Sequence, residues 1–472
     1  QKSLLVHGEL HNNVRMTWGK AFLEWTPDAN RALARLIDLN HRYALDGRDP
    51  ASYGGILWCL GQFDRPFSPS QPVFGTVRTR STQQHARRLD PVAYRRKVTR
   101  PLWEPTPKVA VIGAGISGLI CARTLADHGC DVAVYEKSRG VGGRMSTRRV
   151  DNILSFDHGA QYFTTRDVRF KRYVRSWVDD GLVQPWNGRI VVVENGVVKA
   201  EKTADNRYVA VPGMSSLAKH LASDLSVQFE TRVAPPNRCG DKWLLTNDDG
   251  VELGQFDVVV VAVPSHQAAT LLTAAPLLSE LSSSVKMSGC WALMLAFEET
   301  LGLGFDGAFV RESPLSWIAR NNSKPGRDSR GETWVVHATP EWTGSHIDDS
   351  PERVRQSLLD EFWTAVGRRR VDPMQLDTQR WRFAIPEFTA RPGSGVRQNG
   401  GRHESLRDFT TTVTDRCLFD DRQWIGACGD WCAGPRVEAA FLSGMAIAGR
   451  ILGRLNATGS RTRERGQQLA LF

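Results

Sequence analysis

A chain of 472 residues is longer than one ordinary domain and predicts two or three. With 41% hydrophobic and 24% charged residues, its composition is that of a soluble globular protein, and its apolar runs, Val258 to Pro264 among them, are too short for a membrane-spanning helix. Of the net charge of +10, residues 1–100 hold +8 (16 Lys and Arg against 8 Asp and Glu), which points to an acidic partner for that segment or to plain solvation.

The first 62 residues read as helices. Trp18, Phe22 and Trp25 recur at helical spacing, and Leu33, Leu36, Ile37 and Leu39 mark another amphipathic face. A chain opening on Gln1 inside such a pattern is expected to be a fragment or a processed product. Pro66, Pro69 and Pro72 end regular structure, and a basic segment from Arg78 to Arg100 leads into a proline-rich linker over 101–107. From Lys108 onward strands alternate with helices. Gly254–Pro264 reads as one buried strand, Trp424–Asp430 as another, and a helix is expected from about Val437 to Leu455. Segments near 190–200, 225–247 and 285–340 read as strands and helices of an inserted second lobe. Residues 456–472, rich in Arg and Gln, are expected to form a disordered tail. The eight cysteines lack disulfide-like spacing, and Cys428 and Cys432 have no companion pair or histidine cluster. Reduced thiols in a cytoplasmic protein, and no metal site, are expected.

Residues 108–144 carry the strongest signal. Lys108-Val-Ala-Val-Ile is a buried strand, Gly113-Ala-Gly115-Ile-Ser-Gly118 is a glycine turn entering a helix, and Asp131-Val-Ala-Val-Tyr-Glu136 is a second strand ending in an acid. That is the βαβ pattern that binds the ADP half of a dinucleotide. Gly113 permits the tight turn, Gly115 the approach of a pyrophosphate, and Gly118 the packing of helix on sheet. Free N–H groups and the helix dipole then face the phosphates. Glu136, 18 residues after Gly118, is placed to accept from a ribose diol. Gly142-Gly143-Arg144 adds a second backbone turn and a guanidinium at the same pyrophosphate, which favours FAD over NAD.

Further blocks extend this pattern: Tyr135-Glu136-Lys137 running to Gly143-Arg144, Asp157-His-Gly159-Ala160-Gln161-Tyr162-Phe163, Trp317-Ile-Ala-Arg320-Asn321-Asn-Ser-Lys-Pro, and Cys428-Gly429-Asp430-Trp431-Cys432 followed by Arg436-Val-Glu438-Ala439. On these blocks residues 108–455 resemble the flavin-containing amine oxidase superfamily, and within it the renalase-type FAD oxidoreductases. The resemblance implies an α/β fold: a Rossmann-like FAD lobe over about 108–165, 205–265 and 417–455, with an inserted antiparallel-sheet substrate lobe over about 166–204 and 266–416. It implies FAD held by Gly113, Gly115, Gly118, Glu136, Lys137, Gly143, Arg144, Gly159, Ala160, Gln161, Tyr162, Val233, Gly429, Asp430, Glu438 and Ala439, with Asp430 on a ribityl hydroxyl and Gly159–Tyr162 under the isoalloxazine. The helix near Val437, carrying Glu438 and Ala439, would aim its N-terminus at the flavin. Trp291, His337 and Trp381 match positions lining the substrate pocket; from pattern alone each also fits a packing residue of an apolar strand. The implied reaction is hydride transfer from the 2- and 6-dihydro isomers of NAD(P) to flavin N5, with O2 reoxidation to hydrogen peroxide. An amine oxidase or desaturase chemistry is the alternative. The stretch Thr389–Arg416 looks longer and more basic than this family's pattern.

Before the linker, Glu9-Leu-His11-Asn12-Asn-Val-Arg15-Met16-Thr-Trp18, Asn40-His-Arg-Tyr-Ala-Leu-Asp46-Gly-Arg48-Asp49 and Tyr53-Gly-Gly55-Ile-Leu-Trp58 resemble the end of the helical FAD domain of class II DNA photolyases. The resemblance implies that Asn12 and Met16 face a DNA lesion and that Arg15, Asp46 and Asp49 lie near flavin. An all-α segment over residues 1–100 with weak DNA contact is therefore expected, and a DNA-binding repair protein with an accessory oxidoreductase stays open as an alternative.

Overall fold

Val109–Ile112 and Val258–Val261 are apolar and buried at every position, the mark of parallel strands covered on both faces. They lie side by side at the centre of a six-stranded sheet ordered Leu418–Asp420, Ile425–Ala427, Val258–Val261, Lys108–Ile112, Asp131–Tyr135 and Ser226–Gln228. All neighbours are parallel except the first pair. The computed structural model describes residues 2–7, 10–44, 47–71, 74–150, 153–202, 206–327, 331–387 and 416–457. Asp46, residues 389–415 of the basic stretch and residues 458–472 of the expected tail lie outside the described residues.

The chain divides into two compact units, one containing the residues up to Thr106 with Asp127–Gly129, the other containing Pro107–Ala126 and the chain from Cys130 through the helix Val437–Ala457. The first is helical: Lys2–His7, Asn12–Trp25, Ala29–Tyr43, Pro50–Cys59, Thr82–Arg88 and Pro91–Val98. Asp28 and Asp90 cap two of these helices, accepting from Arg31 N–H at 2.9 Å and from Val92 and Ala93 N–H at 2.9 and 3.0 Å. Leu36, Ile56 and Cys59 form a small core with Met16 packed against it. Met16 is thus committed to packing, while Asn12 is exposed. The last two helices occupy the basic segment, and Trp103 of the proline-rich stretch is fully buried.

In the second unit a seven-stranded sheet runs Gln375–Pro386, Met287–Phe297, Glu332–Ala338, Leu315–Arg320, Gly307–Arg311, Ile190–Glu194, Val197–Glu201. Every pair is antiparallel except Gly307–Arg311 with Ile190–Glu194, so the sheet is mixed where an antiparallel one was expected. The helix Pro351–Val366 buries Val354, Leu358, Leu359 and Phe362 in the core formed on one face of this sheet. The mixed α/β architecture agrees with the sequence reading, and two local expectations are corrected. Gly254–Pro264 is not one strand: Glu252–Phe256 pairs in a three-stranded antiparallel sheet, and the chain breaks at Asp257, whose carboxylate accepts from Lys108 N–H at 2.8 Å. Segment 225–247 does not join the inserted lobe as its pattern suggested but falls within the 205–265 stretch that the resemblance gave to the FAD lobe: Ser226–Gln228 is an edge strand of the parallel sheet and 237–246 forms the antiparallel sheet.

Candidate functional site

The strand Lys108–Ile112 delivers the chain into a turn at Gly113, whose φ of +109° and whose missing Cβ, 2.6 Å from Ala262 O, both demand glycine. A Cβ on Gly118 would lie 2.0 Å from Gly113 O, so the helix Ile116–Asp127 seats directly on the turn. At Gly115 a Cβ would meet no atom within 4 Å: the backbone there borders a cavity of about 1340 Å³. Glu136, buried at the end of the second strand, accepts from Ala114 N–H at 2.8 Å and Ser138 N–H at 2.9 Å and lines the same cavity. A carboxylate has about four acceptor positions, so two backbone bonds leave room for a diol. An open glycine turn at a helix N-terminus, beside a fixed acid, fits the ADP half of FAD.

Lys137, Gly143, Arg144, Gly159, Ala160, Gln161, Tyr162, Val233, Gly429, Asp430 and Glu438 also border the cavity. Several of them also have partners within the chain. Arg144 makes a bidentate pair with Asp430, both bonds 2.7 Å, and its Nη1 donates to Ala384 O at 2.7 Å. This pair joins the two glycine turns. A Cβ on Gly159 would lie 2.1 Å from Arg144 O, so this glycine is required by packing of its loop on 143–145. Glu438 accepts from the N–H groups of Arg166 and Asp167, both at 2.7 Å, and anchors that loop to the helix Val437–Ala457. Ala439 does not reach the cavity wall, which Val437, Glu438 and Ala440 provide. Gly118 likewise acts behind the wall. Lys137 bonds Gln267 Oε1 at 3.3 Å, and burial, followed by the nearby Arg232, lowers its pKa.

On the seven-stranded sheet, His337 and Trp381 meet over one carbonyl. Trp381 Nε1–H donates to His158 O at 3.1 Å, and His337 Nε2 lies 3.3 Å from the same oxygen. An oxygen can only accept, so this contact places the His337 proton on Nε2 and leaves Nδ1 with its lone pair. Burial pushes the pKa values of His337 and His158 down to about 4, so both rings are neutral at pH 7. Trp381 also stacks on the His158 ring, centroids 5.3 Å apart. Trp291 is not brought to the cavity. Side chains alternate along Met287–Phe297, and Trp291 falls on the face of Leu293, Leu295 and Phe297, where its indole donates to His346 O at 2.9 Å. Its neighbour Cys290 lines the cavity instead, with a thiol pushed up to about 12 by burial.

Beneath Gln161 lies a polar cluster that sequence reasoning did not single out. Gln161 Oε1 accepts from Lys324 Nζ at 3.1 Å, and Lys324 and Arg327 both face the buried Asp157. The signal, Asp157-His158 before a glycine and Lys324-Pro after a polar turn, was present in the quoted blocks; only the fold shows that it is one cluster. No group of three or more potential metal ligands occurs among the described residues, and no helix among them is long and apolar enough to cross a membrane.

Residues 111–177 match the family model of an NAD(P)-binding Rossmann-like domain, and residues 192–452 that of flavin containing amine oxidoreductases. A putative protoporphyrinogen oxidase from Exiguobacterium sp. 255-15 superposes with a TM-score of 0.60 over 74% of this chain and 99% of its own, at 13% identity. Cyclohexylamine oxidase from Brevibacterium oxydans does so with a TM-score of 0.59 over 75% and 100%, at 14% identity. At such identities the likeness shows the fold alone. A deoxyribodipyrimidine photo-lyase from Methanothermobacter thermautotrophicus is 42% identical over 78 residues, which is 16% of this chain and 17% of that protein. The chain thus spans about a sixth of that relative's length. Since the amine oxidoreductase model alone accounts for more than half of the residues, and a glycine turn fitted to a dinucleotide precedes it, the chain belongs to the flavin containing amine oxidoreductases and is an FAD-dependent oxidoreductase.

Proposed function

We propose that this oxidoreductase oxidises dihydronicotinamide isomers of NAD(P), the 2- and 6-dihydro forms, rather than amines. The supporting observation is the chemistry of the cavity wall on the seven-stranded sheet. Phe309, Trp317, His337 and Trp381 offer flat and neutral surfaces, the guanidinium groups of Arg380 and Arg382 turn away from them to Ile347 O at 2.9 Å and Asp348 Oδ1 at 2.7 Å, and no carboxylate stands on that sheet's wall among the described residues. The acids elsewhere on the wall are already held: Glu136 and Glu438 by backbone N–H groups, Asp430 by Arg144, and Asp248 by Arg232 at 3.3 Å. A protonated amine would find no counter-ion on that sheet's wall, whereas the flat, uncharged ring of a dihydronicotinamide is matched by its aromatic surfaces.

FAD, when bound, supplies the hydride acceptor and returns its electrons to O2, giving hydrogen peroxide. The chain's own contribution is positioning: the shared His158 carbonyl fixes His337 and Trp381, and these rings limit how a planar substrate can lie. Neutral histidines beside the site neither repel the dinucleotide nor present an acid to it. The test is anaerobic mixing of the flavoprotein with 2- or 6-dihydro-NAD(P), with 1,4-NADH and with simple amines. Rapid bleaching is expected with the isomers, much slower bleaching with 1,4-NADH, and peroxide on readmitting air. Fast reduction by amines with none by the isomers would establish amine oxidation instead. For residues 1–100 we propose a photolyase-like helical segment, on the motifs at Asn12–Trp18 and Asn40–Asp49, that makes weak contact with nucleic acid, and for the whole protein a cytoplasmic location, on eight cysteines without disulfide-like spacing.

A further inference from the structure

Among the described residues, the cluster beneath Gln161 holds more positive than negative charge. The side chains of Lys324, Arg327 and Asp157 are 0%, 1% and 0% exposed. Arg327 takes Asp157 Oδ2 with Nη2 at 2.6 Å and Nε at 3.2 Å, while Asp157 Oδ1 accepts from the Thr147 hydroxyl at 2.7 Å and Met214 N–H at 2.9 Å. Lys324 Nζ stands 3.5 Å from the oxygen already shared with Arg327. Among the described residues no second carboxylate pairs with either cation, so one negative charge faces two positive ones. The other partners of Lys324 are neutral: Gln161 Oε1 at 3.1 Å, Asn321 Oδ1 at 3.3 Å and the Trp186 ring face at 5.6 Å.

A buried charge without its own counter-ion is costly, and a hydrophobic residue of similar volume would often serve stability better. Burial accordingly pulls the lysine pKa down to about 8, with Asp157 opposing and Arg327 adding to the shift. The charge is separated from the cavity by a single side chain. Gln161 receives the ammonium on Oε1 and turns Nε2 toward the carbonyls of Asp157 and Gly159, so its amide is held in one orientation on the wall.

We propose that Lys324 is a positioning residue that orients Gln161 and sets an unbalanced positive charge behind the cavity wall, so that the site favours the bound flavin in its reduced, more negative form. The proposal rests on the reading that the flavin ring lies against Gly159–Tyr162. It does not depend on which substrate delivers the electrons. A positive charge in a poorly screened interior acts over the few ångströms that one glutamine spans, and it needs no contact with the ring.

The experiment is a reductive titration of the FAD-loaded full chain with dithionite and a reference dye, in the wild type and in Lys324→Met, Lys324→Gln and Lys324→Arg. With the charge removed, the equilibrium between oxidised and reduced flavin should move about tenfold toward the oxidised form, roughly 30 mV for a two-electron couple. Lys324→Arg should restore most of the difference. Melting temperatures of the Met and Gln variants should change little, because Asp157 and Arg327 remain as a neutral pair. If Lys324→Met does not retain FAD, Lys324→Gln, which can still bond Gln161, decides. An unchanged potential in the neutral variants overturns the proposal, as does an equal fall in Lys324→Arg, since either would leave the lysine a packing role only. Dithionite makes these outcomes independent of the dihydronicotinamide reading, which fails or stands on its own substrates.

Discussion

Glu136 spends two acceptor positions on the N–H groups of Ala114 and Ser138, and in doing so holds both flanks of the nucleotide turn. Its remaining acceptor capacity faces the cavity. Glu136→Ala should therefore weaken FAD binding by about 1–2 kcal/mol, through loss of charge-assisted bonds to a ribose diol. Equilibrium dialysis of the apoprotein with FAD measures this directly, and a dissociation constant equal to the wild type would remove Glu136 from the cofactor site. The residue's place was legible because a strand, a glycine turn and an acid at fixed spacing leave one geometry for the end of the second strand. The Arg144–Asp430 pair was not legible, since 286 residues separate its members and each had a plausible separate duty.

At the scale of the element, alternation along Met287–Phe297 decides which side chains see substrate. Trp291 was expected on the cavity because its sequence block matched a pocket-lining position; the strand's register instead turns Cys290 inward and buries Trp291 against the helix-covered core. Sequence gave the strand but not its face, because Cys290-Trp-Ala-Leu-Met-Leu-Ala-Phe is apolar on both sides and carries no polar alternation to read. The two tryptophans should then separate by experiment. Trp291→Ala should cost about 3–5 kcal/mol of stability, as a large aromatic removed from a packed core. Trp381→Phe keeps a ring on the wall but deletes the N–H that reaches His158 O, and should lower kcat/KM about tenfold at a stability cost of about 1 kcal/mol. Thermal melts and steady-state rates on the two variants check this, and a catalytic defect in a stable Trp291→Ala protein would reverse the assignment.

At the scale of the whole molecule, the charge is concentrated away from the oxidoreductase sequence. Thr82–Arg88 and Pro91–Val98 bury no residue, and Arg87, Arg88, Arg95, Arg96 and Lys97 on them are exposed. Cations placed this way neutralise phosphates without reading bases, so the expected behaviour of the full chain is weak, sequence-independent DNA binding that falls steeply with salt. If all five engage, log K should fall with log salt at a slope of about −4.5, and replacing Arg95 and Arg96 by Ala should flatten that slope by roughly 2. Fluorescence anisotropy with a labelled duplex across a salt series measures both. The match to the photolyase covers 17% of that protein, so no reversal of cyclobutane dimers is expected when the reduced protein is illuminated with a damaged oligonucleotide. Measurable reversal would make repair a function of this chain. A salt slope left unchanged by the double substitution would place the DNA contact elsewhere, and no binding at low salt would reduce the basic helices to a solvated surface.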